Sequence, residues 1–369
     1  MKIAFTAPMK PLDHPVPSGD RTMGRLIVAA LQSAGHDVSI ASTFRAWAGQ
    51  GGEEIQREIR DAAWTEADRI AAAWEASGDR PDVFLTYHLY HKAPDWIGPH
   101  LADRFGLPYA IIEASRAPKR QSGPWAFGFR EADKALKRAD MVAALHNADA
   151  GCLAPVLGPD HLTVLPPFID TTAFDRAAAL PKPLPAPPLK LLAVGMMRTG
   201  DKTRSYEVLA GALDHVRDRP WRLTIVGDGE NSSHVLSLFP ADRINWLGAR
   251  PLEDLPGIYA AHDLLVWPAI REAFGLAFLE AQAAGLAAVG GATFGVPDIV
   301  KHGETGLLSA EGDALAFSQN LLQFLENPML AETFGQAARR HIAQTHTLHA
   351  GARRLVDFLQ SAVANYTNR

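Results

Sequence analysis

Short runs of aliphatic and β-branched residues alternate with longer helical patterns along nearly the whole chain, and the series occurs twice. The first comprises KIAFTAP, DVSIAS, DVFLTYH, YAIIEA, MVAAL and LTVLPP, separated by helical stretches such as Arg21–Ala34 and Glu53–Ser77. Parallel strands need a crossover between them, so this order points to βαβ units and a parallel sheet. After Pro166 the pattern stops, and ALPKPLPAPPLK (179–190) carries five prolines and no glycine, which reads as a stiff linker. KLLAVG, RLTIVGDG, INWLG, LLVWPA and LAAVGG restart the series, and helical patterns at Asp313–Glu326, Met329–Gln344 and His349–Ala364 close the chain. The expected organisation is an α/β chain with two Rossmann-like parallel-sheet domains facing a cleft, with carboxyl-terminal helices. The first domain covers 1–178, the linker 179–190 and the second domain 191–345; a closing helix at 346–369 is expected to pack back on the first domain. A chain of 369 residues is too long for one ordinary core, which agrees. Ligands in open parallel sheets bind beyond the carboxyl ends of the strands, so function is expected there.

Composition removes several classes. A net charge of −5 gives no overall attraction for nucleic acid, so any polyanion must be held by a local patch. The single cysteine, Cys152, excludes an intrachain disulfide framework and fits a reducing cytoplasm; beside Leu153 and Ala154 it reads as a buried small hydrophobe. The apolar run in MKIAFTAPMK is too short for a signal peptide, and no stretch nears the roughly 20 apolar residues of a membrane span. A cytoplasmic location, with at most peripheral contact at the inner face of the membrane, is the expectation.

Strand-to-helix turns supply the candidate chemistry. In PSGDRTMGR (17–25), Gly19 precedes a helix with Ser18 and Asp20 as capping candidates, so free N–H groups can face an anion. After KLLAVG comes MMRTGDKTR, where Arg198, Lys202 and Arg204 offer a clamp for a diphosphate. In VWPAIREAFGLAFLEAQAAG a loop carries Glu272, and a helix begins near Gly275 and stops before Gly285. Its residues are apolar nearly all round, which buries it on most faces. Glu280, inside it, then needs a basic partner or a ligand's hydroxyls, because a lone buried carboxylate is costly.

REAFGLAFLE, taken with VGDG (226–229), WLG (246–248), FGVPDIV (294–300) and GETGLL (303–308), resembles the carboxyl-terminal domain of retaining family-4 glycosyltransferases. These have the GT-B fold and a Glu-x7-Glu motif. The resemblance implies that Glu272 contacts the donor sugar, that Phe274, Gly275 and Leu276 present N–H groups to sugar and diphosphate, and that Glu280 holds the ribose diol. It implies that Arg198 and Lys202 neutralise the diphosphate leaving group, so that neither a metal nor a cofactor is needed. Gly227, in VGDG, and Gly19 join the donor-binding set. The family's Gly-Arg-Leu is here Gly195-Met196-Met197 followed by Arg198, which shifts the basic residues. The family's amino-terminal histidine is absent from YAIIEASRAPKR, which offers Glu113 and Ser115; His88 and His91 in TYHLYHKAP end another strand candidate. These four are the acceptor-side candidates.

Residues 116–138 hold Arg116, Lys119, Arg120, Arg130, Lys134, Lys137 and Arg138, interleaved with Trp125, Phe127 and Phe129. This segment suits an anionic acceptor or a membrane surface, or else is an amphipathic helix with solvated charges. The implied reaction moves a sugar from a UDP- or GDP-type nucleoside diphosphate sugar to a glycan, lipid-linked or small-molecule acceptor, by front-face attack assisted by the donor's phosphate oxygen. A sugar-nucleotide epimerase and a non-catalytic sugar-nucleotide-binding subunit are the alternatives.

Overall fold

A computed structural model describes residues 1–16 and 18–369. Pro17, which opens the PSGDRTMGR stretch, lies outside the described residues. The chain forms two compact units, Met1–Pro167 with Leu348–Arg369, and Phe168–Thr347.

The first unit contains β1 (Lys2–Thr6), α1 (Gly19–Ser33), β2 (Asp37–Ser42), α2 (Glu53–Ser77), β3 (Val83–Leu89), α3 (Ile97–Phe105), β4 (Tyr109–Ala114), α4 (Ala126–Arg138), β5 (Met141–Ala144), α5 (Asn147–Leu153) and β6 (Leu162–Val164). All strand pairs are parallel, in the order β2-β1-β3-β4-β5-β6. Every residue of β3, β4 and β5 is buried, as expected of parallel strands covered by helices on both faces. This is why they read as continuous apolar runs rather than as alternating patterns.

The second unit contains α6 (Thr172–Ala178), β7 (Leu189–Val194), α7 (Asp201–His215), β8 (Trp221–Val226), α8 (Ser232–Ser237), β9 (Ile244–Trp246), α9 (Leu255–Ala260), β10 (Leu264–Trp267), α10 (Leu276–Ala283), β11 (Ala287–Ala292), α11 (Val296–Ile299), β12 (Gly306–Ala310), α12 (Ala314–Glu326) and α13 (Met329–Thr345). Its parallel sheet runs β12-β11-β10-β7-β8-β9. The last helix, α14 (Leu348–Thr367), belongs to the first unit and packs on α1 and β5, where Asn365 Nδ2 donates to the carbonyls of Asp140 and Asp160 at 2.9 Å.

The division falls at Pro167/Phe168 rather than at the proline-rich stretch. Phe174 of α6 sets its ring against Tyr259 of α9 with centroids 6.0 Å apart, and Lys182 Nζ donates to the His262 carbonyl at 3.0 Å. Residues 179–190 therefore lead into β7 inside the second unit. The edge strand β12 has no counterpart among the strand candidates, because GLLSA is short and mixes glycine and serine with its apolar residues.

Candidate functional site

In each sheet there is one place where the chain's progress across the sheet reverses. In the second sheet it lies between β7 and β10, and the crevice beyond the carboxyl ends of such a strand pair is where ligands settle. Gly195 follows β7 there, and a Cβ on it would stand 2.8 Å from the Trp267 ring. Gly227, which follows β8 with φ 139°, is closer still: a Cβ there would lie 1.9 Å from the Gly195 carbonyl oxygen. Only glycines allow these strand ends to meet.

Lys202, on the first turn of α7, reaches the loop after β10. Its Nζ lies 2.5 Å from Glu272 Oε2, and Trp267 Nε1–H donates to the same oxygen at 3.3 Å. The ammonium also stands 5.4 Å from the Trp267 ring centroid. The loop turns through two non-glycine residues in the left-handed region, Ala269 (φ 58°) and Arg271 (φ 50°), a conformation that costs on the order of 1–2 kcal/mol each. It is tied to α7 because the Ile270 N–H donates to Ser205 Oγ at 3.0 Å. The strain and the tie together fix where Glu272 stands.

Arg198 is half-buried, and its guanidinium makes no hydrogen bond or ion pair among the described residues. Its carbonyl is held by Thr203 Oγ1 at 2.7 Å. Arg204 does not join the clamp: it is exposed and faces Asp201 at 3.7 Å on the outer side of α7.

Gly275 (φ 63°) caps α10, and the N–H groups of Phe274, Gly275 and Leu276 donate no hydrogen bond among the described residues. One turn on, the Tyr259 hydroxyl donates to Glu280 Oε2 at 2.8 Å. Burial raises Glu280 from its ordinary value to about 7, against the lowering effect of that hydrogen bond. Among the described residues no cation pairs with Glu280, so the structural salt bridge that sequence allowed is not what holds it. Two carboxylates, two cations and three free N–H groups thus gather at one end of this sheet, a set able to bind an anion together with a polyol.

Residues 186–341 match the family model of glycosyl transferases, group 1. This part of the chain is similar to the group 1 glycosyl transferases. A D-inositol 3-phosphate glycosyltransferase of Corynebacterium aurimucosum is 31% identical over 222 residues, which cover 56% of this chain and 52% of that protein. The N-acetyl-alpha-D-glucosaminyl L-malate synthase of Bacillus anthracis is 31% identical over 143 residues, covering 38% of this chain and 37% of that one. The chain therefore spans about half, or less, of the length of these relatives. Among solved structures, sucrose-phosphate synthase of Thermosynechococcus elongatus superposes with TM-score 0.76 at 20% identity, over 98% of this chain and 99% of that one. HepE of Anabaena, solved with UDP, gives 0.70 at 14% identity, over 98% and 100%. These likenesses establish the GT-B fold for the two parallel sheets.

Outside the matched residues, the first sheet reverses between β1 and β3. Asp20, in the first turn of α1, and His88, near the end of β3, meet there with Nδ1 3.0 Å from Asp20 Oδ1. Glu113 of the neighbouring β4 brings Oε1 to 3.5 Å from the same nitrogen. The donor atoms of these three lie within 4.8 Å of one another, the one such group among the described residues that could hold a metal ion. Burial disfavours the imidazolium, but the charges of Glu113 and Asp20 outweigh it and raise His88 to about 9. Burial lifts Glu113 to about 8, with His88 opposing. Asp20 is held below its ordinary value because its bond to His88 outweighs burial.

The acceptor-side candidates divide. Glu113 and His88 come together, and Ser115 Oγ donates to Asp149 Oδ2 at 3.0 Å, an aspartate that His146 Nε2 reaches at 3.1 Å. His91 is separate: its ring packs between Tyr90 and Trp125, centroids 3.9 and 5.7 Å away. Burial, then Arg120, Lys92 and Lys119, lower it to about 4, so it is neutral. Gly19 opens α1, and Ser18 caps that helix by accepting from the Arg21 N–H at 3.2 Å.

The basic segment is mostly committed. Arg116 forks onto Asp133 at 2.9 Å through two nitrogens, Lys134 meets Glu131 at 2.7 Å, and Arg138 pairs with Asp103 and Asp140. Trp125, Phe127 and Phe129 are buried, so they offer no face to a membrane. No helix among the described residues is long and apolar enough to cross one. Arg130 meets Glu53 at 3.9 Å, and Lys119, Arg120 and Lys137 have no ion pair among the described residues; Arg120 and Lys119, with Lys92, act on His91. Arg116→Ala is therefore expected to cost about 1–3 kcal/mol by stripping Asp133 of its partner, read as a lowered urea midpoint. Lys119→Ser with Arg120→Ser should leave that midpoint unchanged while flattening the salt dependence of acceptor use. Cys152, on the short helix α5, is exposed rather than buried.

Proposed function

We propose that this chain is a retaining glycosyltransferase that moves a sugar from a nucleoside diphosphate sugar, of UDP or GDP type, to a hydroxyl of a small anionic acceptor. The observation that carries the reading is the group of Lys202, Arg198, Glu272 and Glu280 with three free N–H groups at the reversal of the second sheet. Two cations there answer a diphosphate, and two carboxylates answer the hydroxyls of a sugar and a ribose. The names of two relatives, with inositol 3-phosphate in one and L-malate in the other, support an acceptor of small size and negative charge. HepE, solved with UDP, supports a uridine donor.

In this reading the diphosphate leaves with the electron pair of its bond to the anomeric carbon, and Arg198 and Lys202 stabilise the charge that develops. Glu272 orients the sugar through hydroxyls, and the acceptor oxygen attacks the face from which the phosphate departs. Proton NMR of the product tests this: a new glycosidic linkage with the donor's anomeric configuration is expected, and an inverted linkage would overturn retention.

Because side-chain cations do the work of a metal on the diphosphate, turnover in excess EDTA is expected to match turnover without it. Loss of activity on chelation, restored by Mn²⁺ or Mg²⁺, would contradict this.

A further inference from the structure

His88 and Glu113 share an unusual backbone. They stand opposite one another at the ends of adjacent strands, and the β3–β4 ladder passes over them, pairing Tyr87 with Ile112 and then Leu89 with Ala114. Both are left-handed, at φ 63° and 61°, a conformation that non-glycine residues adopt only where the surroundings impose it. The packing of a parallel sheet does not ask for this. Its result is local: both side chains meet Asp20 of α1, with His88 Nδ1 3.0 Å from Asp20 Oδ1 and 3.5 Å from Glu113 Oε1. All three residues belong to the first unit, and Glu113 and His88 are buried while the Asp20 side chain is 24% exposed. Glu113 Oε2 is buried with no hydrogen-bond partner among the described residues, and the Tyr87 hydroxyl beside it is buried and unpartnered as well. A carboxylate oxygen without a donor in a dry site is costly, so a group that the chain does not itself supply is expected to meet it. The charges say of which sign. Asp20, Glu113 and the nearby Asp149 stand against His88 and, beyond Asp20, Lys10, which leaves a negative surplus for a cation to answer.

We propose that Asp20, His88 and Glu113 form a site for a divalent transition-metal ion, Zn²⁺ by its donor set, which ties α1 to β3 and β4. The donor atoms stand near the spacing that such an ion needs. Bonds of about 2.0–2.1 Å in a tetrahedral array set neighbouring ligand atoms roughly 3.3–3.4 Å apart, and two of the separations here are 3.0 and 3.5 Å. All three atoms lie within 4.8 Å of one another, and Asp20, the most exposed of the residues, has room to close on the ion. Glu113 Oε2 offers a fourth donor, so the ion also accounts for the orphaned oxygen. An imidazole nitrogen among the ligands favours Zn²⁺ over Mg²⁺ and Ca²⁺, which take oxygen. The partly open face of Asp20 gives the ion its entry. The site uses none of residues 186–341 and does not depend on the glycosyl-transfer reading. The ion acts on the fold, not on the diphosphate, so turnover in EDTA well below the unfolding midpoint is expected to stand.

The test starts from the full chain, stripped with EDTA and then dialysed free of it. Titration calorimetry with Zn²⁺ should show one ion bound per chain, and excess Zn²⁺ should raise the thermal unfolding midpoint by about 2 °C or more. Mg²⁺ and Ca²⁺ should not. Asp20→Asn, His88→Gln and Glu113→Gln should each lower Zn²⁺ affinity by about tenfold or more and remove the midpoint shift. Asp20 is only partly buried, so its variant serves if a variant of the other two fails to fold. His234→Gln, at the exposed pair of His234 with Glu207, should change neither quantity, which sets the site apart from an adventitious ion on surface histidines. Co²⁺ gives a readout on the wild-type chain that needs no variant: once bound, it should show the intense visible absorption of a four-coordinate nitrogen and oxygen site. Four results would each overturn the proposal. They are no stoichiometric Zn²⁺ binding, equal protection by Mg²⁺, binding that survives in a folded variant of the three residues or is lost in His234→Gln, and a Co²⁺ spectrum like that of the aqua ion.

Discussion

Glu272→Ala is expected to lower turnover by about 10²-fold or more while leaving the affinity for the free nucleoside diphosphate close to wild type. The carboxylate is assigned to the transferred sugar, whose charge and shape change in the reaction, so its contribution falls on kcat rather than on nucleotide binding. The side effect on the fold should be small. Lys202 loses an ion pair that is partly open to water, and such pairs contribute about 0–1 kcal/mol. Lys202→Ala should behave differently and lower both quantities, because its ammonium is assigned to the diphosphate, which donor and product share in the proposed reaction. Titration calorimetry with UDP and GDP, beside kcat with saturating donor, separates the two variants. Equal affinity losses for Glu272→Ala and Lys202→Ala would mean that Glu272 acts only by holding the lysine.

Glu280→Ala should reverse that pattern, weakening nucleoside diphosphate binding by roughly tenfold or more, since hydrogen bonds to a charged group contribute about 1.5–3 kcal/mol. The ribose is the same in donor and product, so both should lose affinity. A pH effect accompanies it. Glu280 is raised from 4.5 to about 7 by burial, and a ribose diol donates two O–H groups that only the carboxylate form accepts fully. Nucleotide affinity should therefore rise from pH 6 to pH 8 and then level. Tyr259→Phe removes the one hydrogen bond that lowers Glu280 and should push the rise to higher pH. In the free protein the sign is opposite. A group raised above its unfolded value stabilises the fold fully below that unfolded value, and the contribution is lost as pH climbs through about 7. Glu280→Gln should accordingly gain on wild type in urea midpoint above pH 7.

What could be read from sequence follows from how local each signal is. REAFGLAFLEAQAAG announces a buried helix because its apolar residues surround it, and its glutamates stand out against that background. Trp267 and Tyr259, which fix those glutamates, were invisible because they sit inside apolar runs that look like ordinary core. Asp20 was legible only as a helix-start acid; its bond to His88 joins residues 68 apart, and no periodicity reports such a pair. The basic segment misled in the other direction. Seven cations against Glu131 and Asp133 leave a surplus on paper, but the fold sets Asp133 on Arg116 and Glu131 on Lys134 and brings Asp103 from outside the segment to Arg138. The prolines of 179–190 suggested a stiff linker between the domains because they forbid regular structure, but Lys182 and the Lys190 N–H, which donates to Asp263 at 2.9 Å, bind this stretch to the second unit. The GT-B fold was the most legible level, because twelve short strands, most of them preceded or followed by a helix, leave few topologies open.

The most direct test of the account is to incubate the chain with UDP- and GDP-sugars, with and without inositol 3-phosphate or L-malate, and to follow each nucleotide and sugar by mass spectrometry. One donor should release its nucleoside diphosphate, with the sugar recovered on an acceptor at equal stoichiometry and the release persisting in EDTA. Conversion of a donor to an isomer of the same mass would point to epimerisation, and binding seen by calorimetry without release of nucleotide would point to a binding subunit. Either result would contradict the assignment of glycosyl transfer to this chain.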